Sequence, residues 1–327
     1  MSSIMTNASA MTALQTLSSI NKNLSVTQSR ISTGLRVAEA ADNAAYWSIA
    51  TTMRSDNKAN SVVQDALALG AAKVDTAYTA MNKSIEVVDQ IKEKVLLAKN
   101  SSEVDRAKIQ TEISELQEQL KDSIANASYA GSNLLHTDAA DDTGSTGTDP
   151  DDPADDVAES NKFSVISSYS RASDGTVKTG SISFNLSETR LIDAGGANSG
   201  ILDTNFTYSE SSSGAGDGGT ANILDLDVTK LSSDGQFDEV LSGVETALGS
   251  MAASASTLGA AKSRIDLQSD FVKSLSDAID RGIGALVDAD MNEESSRLAA
   301  LQTQQQLAIQ SLSIANSNAQ NILALFR

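Results

Sequence analysis

Apolar residues return at heptad spacing over long stretches near both ends of this chain. At the start, Leu17, Leu24 and Ile31 stand seven apart, with Leu14 three residues before and Leu35 four after. That pattern predicts a helix with a coiled-coil seam. Gly34 and the Ala/Asp-rich stretch to Ala45 interrupt it. A second stripe runs from Val63 through Gly70, Val74, Met81 and Val88 to Ala98 at a mean spacing near the left-handed supercoil period. As one helix, residues 45–99 would be roughly 80 Å long at the usual rise per residue. Ser102 with Asp105 three residues on resembles a capping box. The third stripe, Ile109 to Ala127, has its natural stop at Gly131.

The other end mirrors this. Val240, Val244, Met251, Leu258, Ile265 and Val272 carry a long stripe, with a break expected near Gly282 and Gly284. Asp290 followed by Glu293 reads as a new N-cap. Beyond it the seam positions are Met291, Leu298, Leu301, Ala308, Leu312, Ala315, Ala319, Ile322 and Phe326, interrupted only by Glu294 and Gln305. Between the helical ends, residues 137–235 turn to Gly, Ser, Thr and Asp. Phe163 to Tyr169, Ile182 to Leu186, Phe206 to Tyr208 and Leu224 to Val228 alternate as strands do. The expected fold is mainly α, with long helices, coiled-coil seams between the N- and C-terminal arms, and an inserted β-rich module.

Small seam residues such as Ala308 and Ala315 let helices approach closely but bury little apolar area. Helices of this kind gain stability chiefly from packing. Residues 1–35 and 290–327 are therefore expected to be poorly ordered in a lone subunit and to order when neighbours cover them.

Composition narrows the function. Forty-three acidic against 24 basic residues give a net charge of −19, which argues against nucleic acid and anionic membrane surfaces. No apolar run is long enough for membrane insertion, and residues 1–11 lack the charged and apolar regions of an ordinary signal peptide. With no cysteine there can be no zinc-thiolate site or thiol nucleophile, and the single histidine, His136, leaves the usual constellations of catalytic or ligating residues incomplete. His136 reads as a turn or surface residue. The acidic run from Asp138 to Glu159 lacks calcium-loop spacing and reads as a solvated loop. Asp288/Asp290 and Glu293/Glu294 sit where a helix starts, so acidic capping accounts for them. Tyr46 and Trp47 suit a core or an interface. The sequons at Asn126 and Asn185 are weak motifs. No enzyme, cofactor or metal site is indicated, and what remains is a helical, self-associating structural protein.

Residues 31–45, ISTGLRVAEAADNAA, resemble the N-terminal flagellin signature L-S-T-G-x-R-I-N-S-A-A-D-D-A-A, with Gly34, Arg36, Asp42 and Asn43 on matching positions. The stretches LVDADMNEES from Leu286, LQTQQQL from Leu301 and LALFR from Leu323 are similar to the flagellin C-terminus. The similar regions cover about 1–135 and 240–327.

That resemblance implies a subunit that polymerises with copies of itself into the bacterial flagellar filament. Residues 1–44 with 286–327 would form an inner coiled-coil domain and 45–136 with 236–285 a helical shell. Residues 137–235 would form an outward-facing variable domain. Leu14, Leu17, Leu24, Ile31, Leu35, Met291, Leu298, Leu301, Leu312, Ile322 and Phe326 would make the assembly seam. The resemblance also implies type III export to an extracellular filament, a cytoplasmic chaperone on the C-terminal segment, and hook-associated junction and cap proteins as partners. A hook–filament junction protein is the alternative with similar ends. Two departures stand out. Tyr46-Trp47 replaces a common Gly-Leu. The stretch Asp89, Gln90, Lys94, Leu97 lacks the Gln-Arg pattern of flagellins sensed by the host Toll-like receptor, so poor recognition is expected.

Overall fold

The computed structural model describes residues 7–137, 162–172, 174–193, 199–208 and 219–325, except the side chains of 137 and 318–325. The Asp138–Glu159 run and Phe326 lie outside the described residues. Five helices carry the architecture: α1 (Ala8–Thr33), α2 (Ala44–Lys99), α3 (Glu103–Ala125), α4 (Asp234–Val287) and α5 (Met291–Leu325). Among the described residues, eight strands lie between α3 and α4. The chain divides into two compact units, one from residues up to 58 and from 275 onward, the other from residues 59–274. These divisions fall within α2 and α4.

The unit of residues 59–274 has one continuous core. Leu67, Val74, Met81, Val88, Ile91 and Val95 of α2 are buried with Ile113, Leu120 and Ile124 of α3 and Val244, Met251, Leu258 and Ile265 of α4. The seven-residue rhythm is thus a buried stripe on each helix, and packing of these stripes is the main stabilising term. At the rims α2 and α4 are tied by Lys99 to Asp238 (2.5 Å), Lys92 to Glu245 and Lys262 to Asp75, pairs that run antiparallel. Exposed as they are, such pairs add little stability and mainly suit the register.

Within that unit β4 (Lys162–Arg171) and β5 (Val177–Asn185) form an antiparallel hairpin with a bulge between Ile166 and Ser168. Val165 of β4 sits so close to Gly70 of α2 that a Cβ there would lie 2.5 Å from a valine methyl. Gly70 lets a strand lie against a helix, which the stripe alone did not reveal. Gln268 of α4 holds the same strand by donating to the Ser167 carbonyl at 2.9 Å. The other strands are very short. β1 (Ser128–Tyr129) pairs with β2 (Ser132–Asn133), β3 (His136–Thr137) runs parallel to β6 (Ile192–Asp193), and β7 (Phe206–Tyr208) pairs with β8 (Gly219–Ala221).

Several local expectations are corrected. Ser102 makes no side-chain cap; its hydroxyl donates to Asp105 Oδ2 at 2.8 Å, because an aspartate here takes the hydroxyl instead of reaching back to the Ser102 N–H. Helix α3 ends at Ala125 with Asn126 as C-cap, and Gly131 belongs to the β1–β2 turn with Ala130, itself at φ 51°. Helix α4 runs without a break through Gly282 and Gly284, since burial of Ile283 and Val287 outweighs their poor helix propensity. Strand β5 stops at Asn185, leaving Leu186 in a 3-10 turn. Leu224 to Val228 is not a strand but two flanking 3-10 turns. Gln117 donates to the carbonyls of Ile223 and Leu226, and Gln110 both donates to Leu226 and accepts from the Val228 N–H, so α3 side chains replace a strand ladder.

Candidate assembly surface

In the other unit, α1 and α5 pack antiparallel, as three cross-helix contacts show. Asn7 Nδ2 donates to the Ala315 carbonyl at 3.1 Å, Gln305 Nε2 to Asn21 Oδ1 at 2.7 Å, and Arg30 to Glu294 Oε1 at 3.1 Å. Ile20, Thr27 and Leu301 are buried in this seam, while Leu17, Leu24, Ile31, Leu298 and Leu312 are half-buried. Leu35 is also half-buried but joins a neighbouring cluster with Val37, Ala50, Ile283 and Val287. Met291 and Leu14 are exposed, and Ile322 lies in α5 with its side chain outside the described residues.

Glu294 and Gln305, which interrupt the apolar rhythm, are therefore the seam's own polar partners. Glu294 is buried and receives both Arg30 and, at 3.3 Å, Arg297. A polar pair in an apolar seam fixes register, because any slip strands a charge against apolar neighbours. Ile20 and Thr27 were missed in the sequence. Thr27 is polar, and the true stripe advances through 13, 17, 20, 24, 27 and 31 at alternating spacings of four and three.

The signature residues build the two connections of this unit. Gly34 caps α1 in the left-handed conformation, φ 73°, with its N–H on the Arg30 carbonyl. Arg36 donates from its guanidinium to the Leu286 carbonyl and from its N–H to that of Val287, satisfying carbonyls at the C-terminus of α4. Asp42 Oδ2 accepts from the N–H groups of Ala38 and Glu39. Asn43 Oδ1 accepts from those of Ala45 and Tyr46, capping α2. Asp290 caps α5 in the same way, accepting from Asn292 and Glu293. Each of the four signature residues closes a turn or a helix end, Gly34 through its backbone and the other three through their side chains.

Outside the seam the pair presents large apolar side chains to solvent. Met11 is 63% exposed, Leu14 52%, Leu307 58%, Ile309 54% and Ile314 62%. A groove of about 580 Å3 runs between the helices, lined by Ala13, Leu307, Ala308 and small hydroxyl residues. Tyr46, Trp47 and Ile49 on the first turns of α2 are likewise exposed. Apolar side chains exposed in this number suit a surface that partners cover. His136 is half-buried on a parallel strand and not in a turn. Among the described residues no cluster of His, Cys, Asp or Glu could hold a metal ion, and no helix is long and apolar enough to cross a membrane.

The class defined by these features is that of helical structural subunits built to associate. Residues 4–140 match the family model for the bacterial flagellin N-terminal helical region and residues 241–326 that for the C-terminal helical region. The chain is 48% identical over 327 residues to the flagellin of Brucella melitensis biotype 1, covering all of both proteins. It is 45% identical over 341 residues to flagellin C and 43% identical over 413 residues to flagellin A of Rhizobium meliloti strain 1021, again over the full length of each. The chain belongs to the bacterial flagellin family, whose members are structural subunits of the flagellar filament that self-assemble for motility. The junction-protein alternative is not favoured.

Proposed function

We propose that the α1–α5 pair joins subunits in the filament, its seam holding each subunit's own helices in register and its outer face packing on neighbours. The observation that supports this is the exposure of Met11, Leu14, Leu307, Ile309 and Ile314 on a pair whose seam is already occupied. Residues 1–44 with 286–327 would form the inner domain, 45–136 with 236–285 the surrounding shell, and 137–235 the outward face. The test is electron microscopy of the purified chain with short filament seeds, beside a chain ending at Ala289. Long filaments from the full chain and none from the shorter one are expected. Filaments from both would overturn the terminal pair as the joining element.

A protein of this family reaches the filament through type III export, guided by a C-terminal chaperone and by hook-associated junction and cap proteins. Those partners, and an extracellular location, belong to the same reading. Recognition by the host Toll-like receptor is expected to be weak. Asp89, Gln90 and Leu97 are exposed, but Lys94 is engaged with Glu112 and the Gln-Arg pattern is missing. Purified protein should give a response well below that of a recognised flagellin in a reporter cell, and an equal response would reject the idea.

A further inference from the structure

Helix α4 turns Leu258, Ala261, Ile265 and Val272 into the core of the 59–274 unit. Its opposite face carries Ala260, Arg264, Leu267, Phe271 and Ser274, all exposed; Leu267 is 69% and Phe271 59% open to solvent. These positions lie within one face at helical spacing, and Leu267 and Phe271 are one turn apart. No acidic residue falls on this face between Ala253 and Ser274, with Asp266 and Asp270 only along one edge. Arg264 makes no ion pair among the described residues. In a chain of net charge −19, an apolar face carrying a cation and no acidic residue lowers the repulsion that a like-charged copy meets there.

The same unit carries a surface of opposite character. A groove of about 780 Å3 between α2 and α3 has Leu116 in its lining, with Glu112, Glu115, Glu118 and Asp122 around it. Lys94 takes up Glu112, leaving Glu115, Glu118 and Asp122 without an ion pair among the described residues. The two surfaces are offset. Lys262 of α4 stands beside Asp75 of α2, so the apolar face lies level with residues near Gly70, about 30 Å along α2 from Gln90 at the groove.

We infer that the Arg264–Leu267–Phe271 face of one subunit docks into the α2–α3 groove of a second copy. Leu267 and Phe271 cover Leu116, and Arg264 meets the Glu115, Glu118 and Asp122 carboxylates. A contact between two different, offset patches is head-to-tail and builds an open polymer unless its rotation closes a ring, whereas two such faces meeting each other would oppose arginines and close as a dimer. This contact rests on the filament-subunit reading and lies away from the α1–α5 pair.

The test uses the full chain and filament seeds. Arg264→Glu and Glu118→Lys should each raise the critical concentration for assembly by about tenfold, and the chain carrying both should recover most of that loss, since each copy presents both surfaces. Because the chain has no cysteine, Leu267→Cys with Gln119→Cys adds a direct reading. Filaments of that variant should give an interchain disulfide ladder on oxidation, and either single variant should not. Single charge variants assembling like the parent, no recovery in the double variant, or filaments without a ladder would each overturn the contact. If the parent chain itself fails to extend seeds, the filament reading falls and this contact falls with it.

Discussion

At the scale of single residues, burial gives two side chains properties that their identities do not announce. Glu294 sits in the α1–α5 seam with Oε1 on two arginines, while its Oε2 has no hydrogen-bond partner among the described residues. A half-satisfied buried carboxylate costs stability and contributes specificity. Glu294→Leu is therefore expected to leave helicity unchanged or slightly raised and to loosen register. Spin labels at Leu14 and Leu307 in assembled protein would report it as several distances in place of one. A single sharp distance in the variant would show that Glu294 does not set register. Asp203 is a second case. Burial pushes its carboxyl above the usual range, Asp193 and Asp225 push the same way, and the Asp193 N–H at 2.5 Å and His136 pull it back. A raised folded value means the native state holds the proton to higher pH than the unfolded chain. Stability is then lost as pH rises from the usual carboxylate range through the folded value. Asp203→Asn, which still accepts from Asp193, should melt higher than the parent at neutral pH, with the gap closing in acid.

At the scale of elements, close approach matters more than propensity. Gly70 lies mid-helix, where glycine is a poor choice, yet the hairpin strand β4 rests on it through Val165. Gly70→Ala gains helix propensity but places a methyl group inside the valine's contact distance, and overpacking of this kind costs about 1–3 kcal/mol. The variant should melt lower than the parent by circular dichroism. Val165→Ala, added to it, should restore part of the loss, and an unchanged melting temperature in the single variant would refute the packing account. The helix ends were more legible than the strand ends. Asp290 was read as an N-cap and Gly34 as the interruption of α1, and both hold; the Asn43 cap on α2 emerges from the structure. Leu224 to Val228 alternates like a strand, but glutamines over a hundred residues away satisfy its backbone.

For the molecule as a whole, the chain has one tryptophan, Trp47, 37% exposed beside exposed Tyr46 and Ile49. If neighbouring subunits cover the first turns of α2 during assembly, tryptophan emission should shift to the blue and lose access to iodide as filaments grow. The chain ending at Ala289 should show neither change. Emission that stays constant through assembly would place Trp47 outside any subunit contact.

Periodicity determined the long helices and most of their buried stripes, and capping chemistry gave the start of α5 at Asp290, because both are local and survive reading one residue after another. The signatures at the two ends carried the flagellin resemblance as residue types in a fixed order; Gly34, Asp42 and Asn43 each serve a turn or helix end close by, whereas Arg36 reaches the carbonyls of Leu286 and Val287. Only the tertiary structure decided that Glu294 and Gln305 are members of the seam, that Gly70 yields to a strand, and that α4 continues through two glycines. Each of those outcomes depends on a partner distant in sequence: Arg30 and Asn21, Val165, and the cluster around Ala50. Packing energy from such partners exceeds the fraction of a kcal/mol to about 1 kcal/mol by which local propensity speaks.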